Sequence, residues 1–313
     1  MRDSIRERLK PMRKPFQFPH FFWQQLMPAV CGVFMGLAQA AGADNNSAAL
    51  LHTKYAQLGP QLSVNQFMRP LVLDSAESPQ QLNGDIYARI DFPFAAVSEA
   101  LTNPDHWCDV MILPPNTKYC HASTQQTRSR LMVSVGKKSF QTLEEAYSVE
   151  FSYRVLTTTP DYFDVALDAK TGPLGTRDYR ILLEAQSLPD GKTFLHLTYS
   201  YTYDFAGQIA MQVYLATLGR GKVGFTITNL RTGLPPDYID GVRGVLERNT
   251  MRYYLAIEAY LGALSSPLAE QFEKRLQNWF AATEQYPRQL HEVSRADYFD
   301  IKRQEYLRMQ KPP

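Results

Sequence analysis

The stretch FLHLTYSYTYDF, Phe194 to Phe205, narrows the possible folds more than any other part of the chain. Leu195, Leu197, Tyr199, Tyr201, Tyr203 and Phe205 are large and apolar or aromatic. His196, Thr198, Ser200, Thr202 and Asp204 alternate with them. A period of two is that of a strand with one buried face. Three successive positions on that face are tyrosines, whose hydroxyls need partners in a dry core. Such a ladder has two readings. It lines a cleft or wet cavity, or it is a half-buried strand whose hydroxyls reach solvent at the rim of a sheet.

The same period recurs upstream. Ile86, Ala88, Ile90 and Phe92 alternate with polar residues, as do Leu131–Val135, Tyr147–Val155, Phe163–Leu167 and Tyr179–Ala185. Short turn signals separate the later runs (Thr159-Pro160-Asp161, Lys170-Thr171-Gly172-Pro173, Pro189-Asp190-Gly191), which predicts an antiparallel meander of about five strands. Helical spacing appears before and after it. Ala48–Leu58 reads as a short helix stopped by Gly59-Pro60, and Phe94, Val97, Ala100 and Leu101 form a helical stripe after Pro93. Ile209 to Leu218 is expected to form another short helix. The tetrad Gly219-Arg220-Gly221-Lys222 that closes it lacks both the upstream glycine and the following Ser/Thr of a phosphate loop.

A long helix is expected from about Pro236 to Leu264, with Ile239, Val242, Leu246, Tyr253, Ile257, Tyr260 and Leu264 as its apolar stripe. Asn249 falls on that stripe, either bonded within the packing or facing a cavity. A further helix carries Leu268, Phe272, Leu276 and Phe280 with Trp279 beside them. Ser294 and Asp297 form a capping start for a last helix through Met309.

Charge and cysteine content bear on partners and compartment. The chain has 313 residues and a formal net charge of +2. Arg2, Arg6, Arg8, Lys10, Arg13 and Lys14 outnumber Asp3 and Glu7 in the first forty residues, so the remainder is slightly acidic and nucleic acid is not an expected partner. The basic start, the apolar run Leu26–Ala38 and the small-x-small triplet Ala38-Gln39-Ala40 predict a signal peptide over residues 1–40 and export to a periplasmic or extracellular space. An uncleaved N-terminal anchor is the alternative, although the run is shorter than the ~20 residues that span a bilayer. Cys31 lies in this leader. Cys108 and Cys120 remain, and in an oxidising compartment a disulfide is the first expectation. A zinc site built from His106, Cys108, Cys120 and His121 is the alternative, with spacings too tight for the usual tetrahedral sites. No metal or cofactor is expected.

One strand, a helical break, a meander and a long terminal helix make an α+β plan. Two segments carry a resemblance to a known family. Gly175-Thr176-Arg177-Asp178-Tyr179, after Pro173, is similar to the "RDY" segment that opens a strand in START (lipid-transfer) domains. Asp204-Phe205-Ala206-Gly207-Gln208-Ile209 is similar to the segment that ends the next long strand there. In order and spacing the pair resembles the START-like superfamily over residues 84–264, leaving 41–83 as an N-terminal segment and 265–313 as a C-terminal helical extension.

The resemblance implies a helix-grip fold, a curved antiparallel sheet wrapped around the long C-terminal helix, with a cavity for one lipid or other hydrophobic small molecule. Tyr147, Phe151, Tyr153, Tyr179, Tyr199, Tyr201 and Tyr203 are the expected sheet-side lining, and Asn249 and Tyr253 the helix side. Arg177 shares strand parity with Tyr179 and is expected either to meet an anionic head group or to pair with a neighbouring carboxylate. Sterol-carrying relatives often place an arginine where this chain has Leu183.

A membrane surface is a further expected partner. The superfamily also includes cyclases, aromatases and hydrolases, so an enzyme acting on an apolar substrate is the alternative. Beyond the leader the histidines are His52, His106, His121, His196 and His291, and no catalytic arrangement follows from their spacing. A third expectation is an envelope interaction protein that docks through the Trp279 helix.

Overall fold

Residues Thr193–Tyr203 form the predicted strand, with Leu195, Leu197, Tyr199 and Tyr201 buried on one face. The strand ends earlier than the alternation suggests. Asp204 caps a helix, its Oδ1 accepting the Gly207 N–H at 2.9 Å, so Phe205 becomes the first helical residue and is 74% exposed. Phe205 therefore does not continue the buried face.

The computed structural model describes residues 38–217 and 219–311. The leader's basic segment, most of its apolar run and Cys31 lie outside the described residues, as does Leu218. The chain divides at Ala41/Gly42, and the unit that begins at Gly42 carries the sheet and the helices packed on it.

Helix α1 (Ala38–Ser63) leads to β1 (Leu71–Ser78) and β2 (Gln81–Ile90), followed by α2 (Phe94–Leu101) and α3 (Pro104–Met111). A meander comes next: β3 (Thr117–Gln125), β4 (Arg128–Val135), β5 (Tyr147–Thr158), β6 (Tyr162–Thr171), β7 (Thr176–Ser187) and β8 (Thr193–Tyr203). Then come α4 (Phe205–Ala216), a small hairpin of β9 (Ile227–Asn229) and β10 (Asp237–Tyr238), and α5 (Gly241–Leu261). The chain closes with α6 (Leu268–Thr283), α7 (Pro287–Leu290) and α8 (Arg295–Met309).

The main sheet has eight strands in the order β1-β2-β8-β7-β6-β5-β4-β3, every pair antiparallel. β2, the first of the strands expected from the alternation, pairs with the last, β8, and the sheet holds α5 against its inner face. This is the helix-grip plan.

Two strands extend the expected set. β1 (LVLDSAES) and β3 (TKYCHASTQ) are edge strands with many polar residues, so neither shows the apolar alternation that marks its neighbours. Helix α1 also runs past its expected stop. Pro60 lies inside it and costs one i→i−4 bond, yet the helix continues for three more residues, and the proline's carbonyl accepts from Val64 N at 3.1 Å. Leu51, Leu58 and Leu62 pack on Val72, Tyr162 and Phe194, covering part of the sheet's outer face.

α5 is buried nearly all round, between the sheet on one side and α6 on the other. Leu246, Met251, Leu255 and Ile257 are fully buried, each stabilising the fold by about 1.5–3 kcal/mol. Its approach to the sheet is closest at β2, where a Cβ on Gly84 would lie 2.5 Å from Thr250 Oγ1. α3 supports the opposite side of the sheet, against β3 and β4, and the Cys108–Cys120 disulfide ties α3 to β3. That bond uses the thiolates a zinc ion needs, and the zinc alternative falls with it. A loop of this size stabilises by roughly 3 kcal/mol.

The boundaries expected at residues 84 and 264 are not breaks in the packing. β1 pairs along its length with β2, and α8 is fastened to the start of β3 and the loop before it by a buried ionic knot. Lys118 and Lys302 share Glu305, at 2.9 and 2.6 Å, and both ammonium groups also donate to backbone carbonyls of residues 114–139. Burial pulls Lys302 down to about 8, against the pull of Glu305. Trp279 is buried, stacks on Tyr298 and donates its indole N–H to Arg252 O at 3.3 Å. It is core, so the Trp279 side chain is not available as the docking face expected there.

Candidate functional site

Because α5 bears on the β1–β2 end of the sheet, a gap is left where the sheet curves away toward β4 and β5. This gap is a cavity of about 280 Å³. Val133, Val149, Phe151, Tyr179, Tyr199 and Tyr201 form its sheet side, and Val245, Arg248, Asn249, Arg252 and Tyr253 its helix side. Gly207, Ala210, Met211 and Tyr214 of α4 lie across it, with Pro173, Leu174 and Thr176 beside them at the mouth. The outward side of α4 carries the exposed Phe205, Ile209 and Val213.

The two segments that carry the family resemblance meet at this mouth. The Asp204 N–H donates to Gly175 O at 3.1 Å, and Asp204 caps α4 through Gly207. Gly175 has φ +77°, and a Cβ on it would sit 2.6 Å from the Gly207 backbone nitrogen. A Cβ on Gly207 would in turn lie 3.0 Å from Gly175 O. The glycines thus let the loop before β7 and the first turn of α4 touch backbone to backbone.

The aromatic wall is continuous. Tyr179 stacks on Tyr201 with centroids 5.2 Å apart, Tyr199 lies 5.6 Å from Tyr201 and 5.1 Å from Tyr253, and Phe151 meets Tyr179 edge-on at 6.4 Å. The Tyr179 hydroxyl donates to Thr176 Oγ1 at 2.8 Å. Burial pushes its phenol up to about 12 and raises those of Tyr199, Tyr201 and Tyr253 as well. All four stay neutral near pH 7 and offer polar hydrogens on an otherwise apolar wall.

Six of the ten expected lining residues are brought together: Phe151, Tyr179, Tyr199, Tyr201, Asn249 and Tyr253. Asn249 meets both of its expectations, since it borders the cavity while its Oδ1 accepts from Arg252 Nη1 at 3.0 Å. Four residues stand elsewhere. Tyr147 is at the start of β5 and is 48% exposed. Tyr153 has the right parity but lies under α2 and α3, donating its hydroxyl to Leu101 O at 3.0 Å and facing Trp107. Tyr203 is at the end of β8, where the backbone turns toward α4, its N–H donating to Gln80 O.

Arg177 is turned outward because β7 carries a bulge against β8 between Arg177 and Arg180, with Asp178 at φ +51°. The extra residue breaks the parity with Tyr179 and brings Thr176 to the cavity instead. Arg177 lies 3.7 Å from the Asp178 carboxylate, the ion-pair alternative.

Three basic residues at the site have no counterpart among those expected from the sequence. Lys138, Arg248 and Arg252 all border the cavity. Glu292 accepts from Arg252 Nη2 and lies 2.7 Å from Lys138 Nζ, and these cations hold its carboxyl below the ordinary range despite burial. Burial, with the neighbouring Arg252 charge, pulls Lys138 down to about 8.

His196 lies on the outer face of the sheet, between Asp85 at 2.8 Å and Glu184 at 2.7 Å and stacked on Tyr87. Burial opposes its charged form, and the two carboxylates outweigh that and raise its pKa.

No family model matches this chain, and no curated protein does. Partial likenesses to solved structures are found. A protein from Arthrobacter aurescens solved by NMR is 15% identical, with 63% of this chain and 92% of that one covered and a TM-score of 0.33. Human StAR-related lipid transfer protein 5 is 10% identical, with 55% and 90% covered and a TM-score of 0.32. The di-domain ARO/CYC protein BexL, from the BE-7585A biosynthetic pathway, is 11% identical, with 76% and 59% covered and a TM-score of 0.30. Overlaps this partial carry no weight for function. The fold class rests on this chain's own strand order and on the helix the sheet encloses.

Proposed function

We propose that this protein binds a lipid or other hydrophobic small molecule in the cavity between the sheet and α5, and carries it outside the cytoplasm. The observation behind this reading is the aromatic wall of Phe151, Tyr179, Tyr199 and Tyr201, which borders open volume even though Tyr199 also touches Tyr253 of α5. Small-molecule sites are typically about 300–1,000 Å³, apolar, with a few polar groups that set orientation. At about 280 Å³ the cavity suits a single chain or a ring-sized molecule better than a two-chain lipid. The disulfide supports an oxidising compartment, in keeping with the export expected from the leader. Among the described residues no helix is long and apolar enough to cross a membrane. Uptake from a membrane surface is part of this reading, supported by the exposed Phe205, Ile209 and Val213 beside the mouth.

The test is a titration with the neutral dye Nile red. The expected result is a saturable, one-to-one rise in emission that decanol reverses. Emission that rises without saturating, or that decanol leaves unchanged, contradicts a cavity site.

A further inference from the structure

The helix side of the cavity holds more positive charge than its surroundings balance. Arg248 is 1% exposed, its Nη1 donates to Val223 O at 3.2 Å, and its Nη2 is buried with no partner among the described residues. Arg252, one turn further along α5, is 5% exposed; it donates to Glu292 and Asn249 and leaves Nε without a partner. Lys138 reaches the same Glu292 from the loop after β4, and Lys222 stands 3.9 Å from that carboxylate.

One carboxylate thus serves several cations. Glu247, next to Arg248 in sequence, accepts instead from the N–H groups of Phe225 and Thr226 and the hydroxyls of Thr226 and Ser75. A structural ion cluster that pins α5 to the segment after α7 explains Arg252 and Glu292. It does not explain a guanidinium buried beside open volume with its outer nitrogen unpaired, because a buried cation without a counter-charge is strongly destabilising. Guanidinium groups are suited to the planar, multi-oxygen faces of carboxylates and phosphates.

We propose that the cavity selects an amphiphile with an anionic head, a carboxylate or phosphate group, which seats against Arg248, Arg252 and Lys138 while its apolar part lies on the Tyr179–Tyr199–Tyr201 wall. This rests on the apolar-ligand reading above and names the class of ligand. Charge and apolar wall belong to one site, so the head and the chain are recognised together and a free anion is not enough. Lys138 is consistent with this: burial and the arginine charges hold its pKa down to about 8, and an incoming anion relieves both.

Calorimetric titration of the full chain with decanoate, decanol and inorganic phosphate tests this, on wild type and on Arg248→Met. In wild type, decanoate is expected to bind at least about tenfold more tightly than decanol, the scale of one hydrogen-bonded charge. Phosphate alone should not saturate where decanoate does. Arg248→Met should lose about tenfold for decanoate and nothing for decanol. It should unfold at the same or higher denaturant concentration, since the cation it removes has an unpaired nitrogen.

Equal binding of decanoate and decanol by wild type overturns the inference and leaves the apolar-ligand reading standing. Saturable binding of neither overturns both. Phosphate binding as tightly as decanoate, or Arg248→Met weakening both amphiphiles equally, also overturns it. Should Arg248→Met fail to fold, the wild-type comparison and Lys138→Met, expected to weaken decanoate alone, decide the matter.

Discussion

Lys138 gives the residue scale its most direct pH signature. Its folded-state pKa, about 8, lies below the ordinary 10.5, with burial the main cause and the Arg252 charge the next. The unfolded chain keeps this proton up to about 10.5 and the folded chain releases it near 8, so between those values the unfolded state binds more protons. Stability therefore rises with pH through that window on account of Lys138. Lys302, also held to about 8, adds a rise of the same sign. Denaturant unfolding of wild type and Lys138→Met at pH 7 and pH 9.5 separates the two. Wild type should gain more on going to the higher pH than the variant does, and equal gains would contradict the assignment.

Sequence periodicity reached much of the site at this scale. Parity along β5, β7 and β8 found Phe151, Tyr179, Tyr199 and Tyr201, and the α5 stripe found Asn249 and Tyr253. It failed for Arg177, because nothing in RDY announces that Asp178 takes a left-handed backbone and shifts the register. It also passed over Arg248 and Arg252. A helical stripe assumes one wet side, and α5 has almost none, so arginines off the stripe lie buried beside the cavity without any mark in the periodicity. Lys138 sits in a turn, where no period exists to place it.

At the scale of elements, the mount of α4 decides how the cavity is closed. Gly175 combines a positive φ with backbone contact to Gly207, and Asp204 links both. Gly175→Ala forces a side chain into the left-handed region, at about 1–2 kcal/mol, and against a backbone atom that cannot swing away. A loss of about 2 kcal/mol or more is expected in denaturant unfolding, and a change within ~0.5 kcal/mol, the range of neutral surface substitutions, would show that the contact carries no weight. The two main-sheet strands missed from sequence have a common cause, whereas β10 stands where the long helix was expected to begin and α5 starts only at Gly241. β1 and β3 lie at the two edges of the sheet, where polar residues are tolerated on both faces and the alternation is lost.

At the scale of the whole molecule, the helix-grip plan explains why a cavity exists at all. The disulfide and α3 hold one side of the sheet, Gly84 admits α5 closely on the other, and the volume between them stays unfilled. The C-terminal helices, expected as an outer extension, bury Trp279, Tyr298 and Lys302 and supply the support behind α5. Order of elements was legible in the sequence; the depth of the last helices was not, since a highly charged helix such as α8 gives no sign that its Lys302 and Glu305 are inside.

The central claim is that the tyrosine wall bounds open volume and not a filled core, and Tyr201→Trp tests it most directly. Tyr201 is 3% exposed, as a core residue would be, yet it borders the cavity and stacks on Tyr179. In a filled core the larger ring overpacks and costs roughly 1–3 kcal/mol. In an open cavity the ring enters free space, so stability should fall by less than about 1 kcal/mol while decanol and Nile red bind more weakly. Denaturant unfolding and ligand titration on wild type and Tyr201→Trp give both numbers. Near-native stability with weakened uptake is the predicted result. A loss of stability in the core range with uptake unchanged would contradict the account.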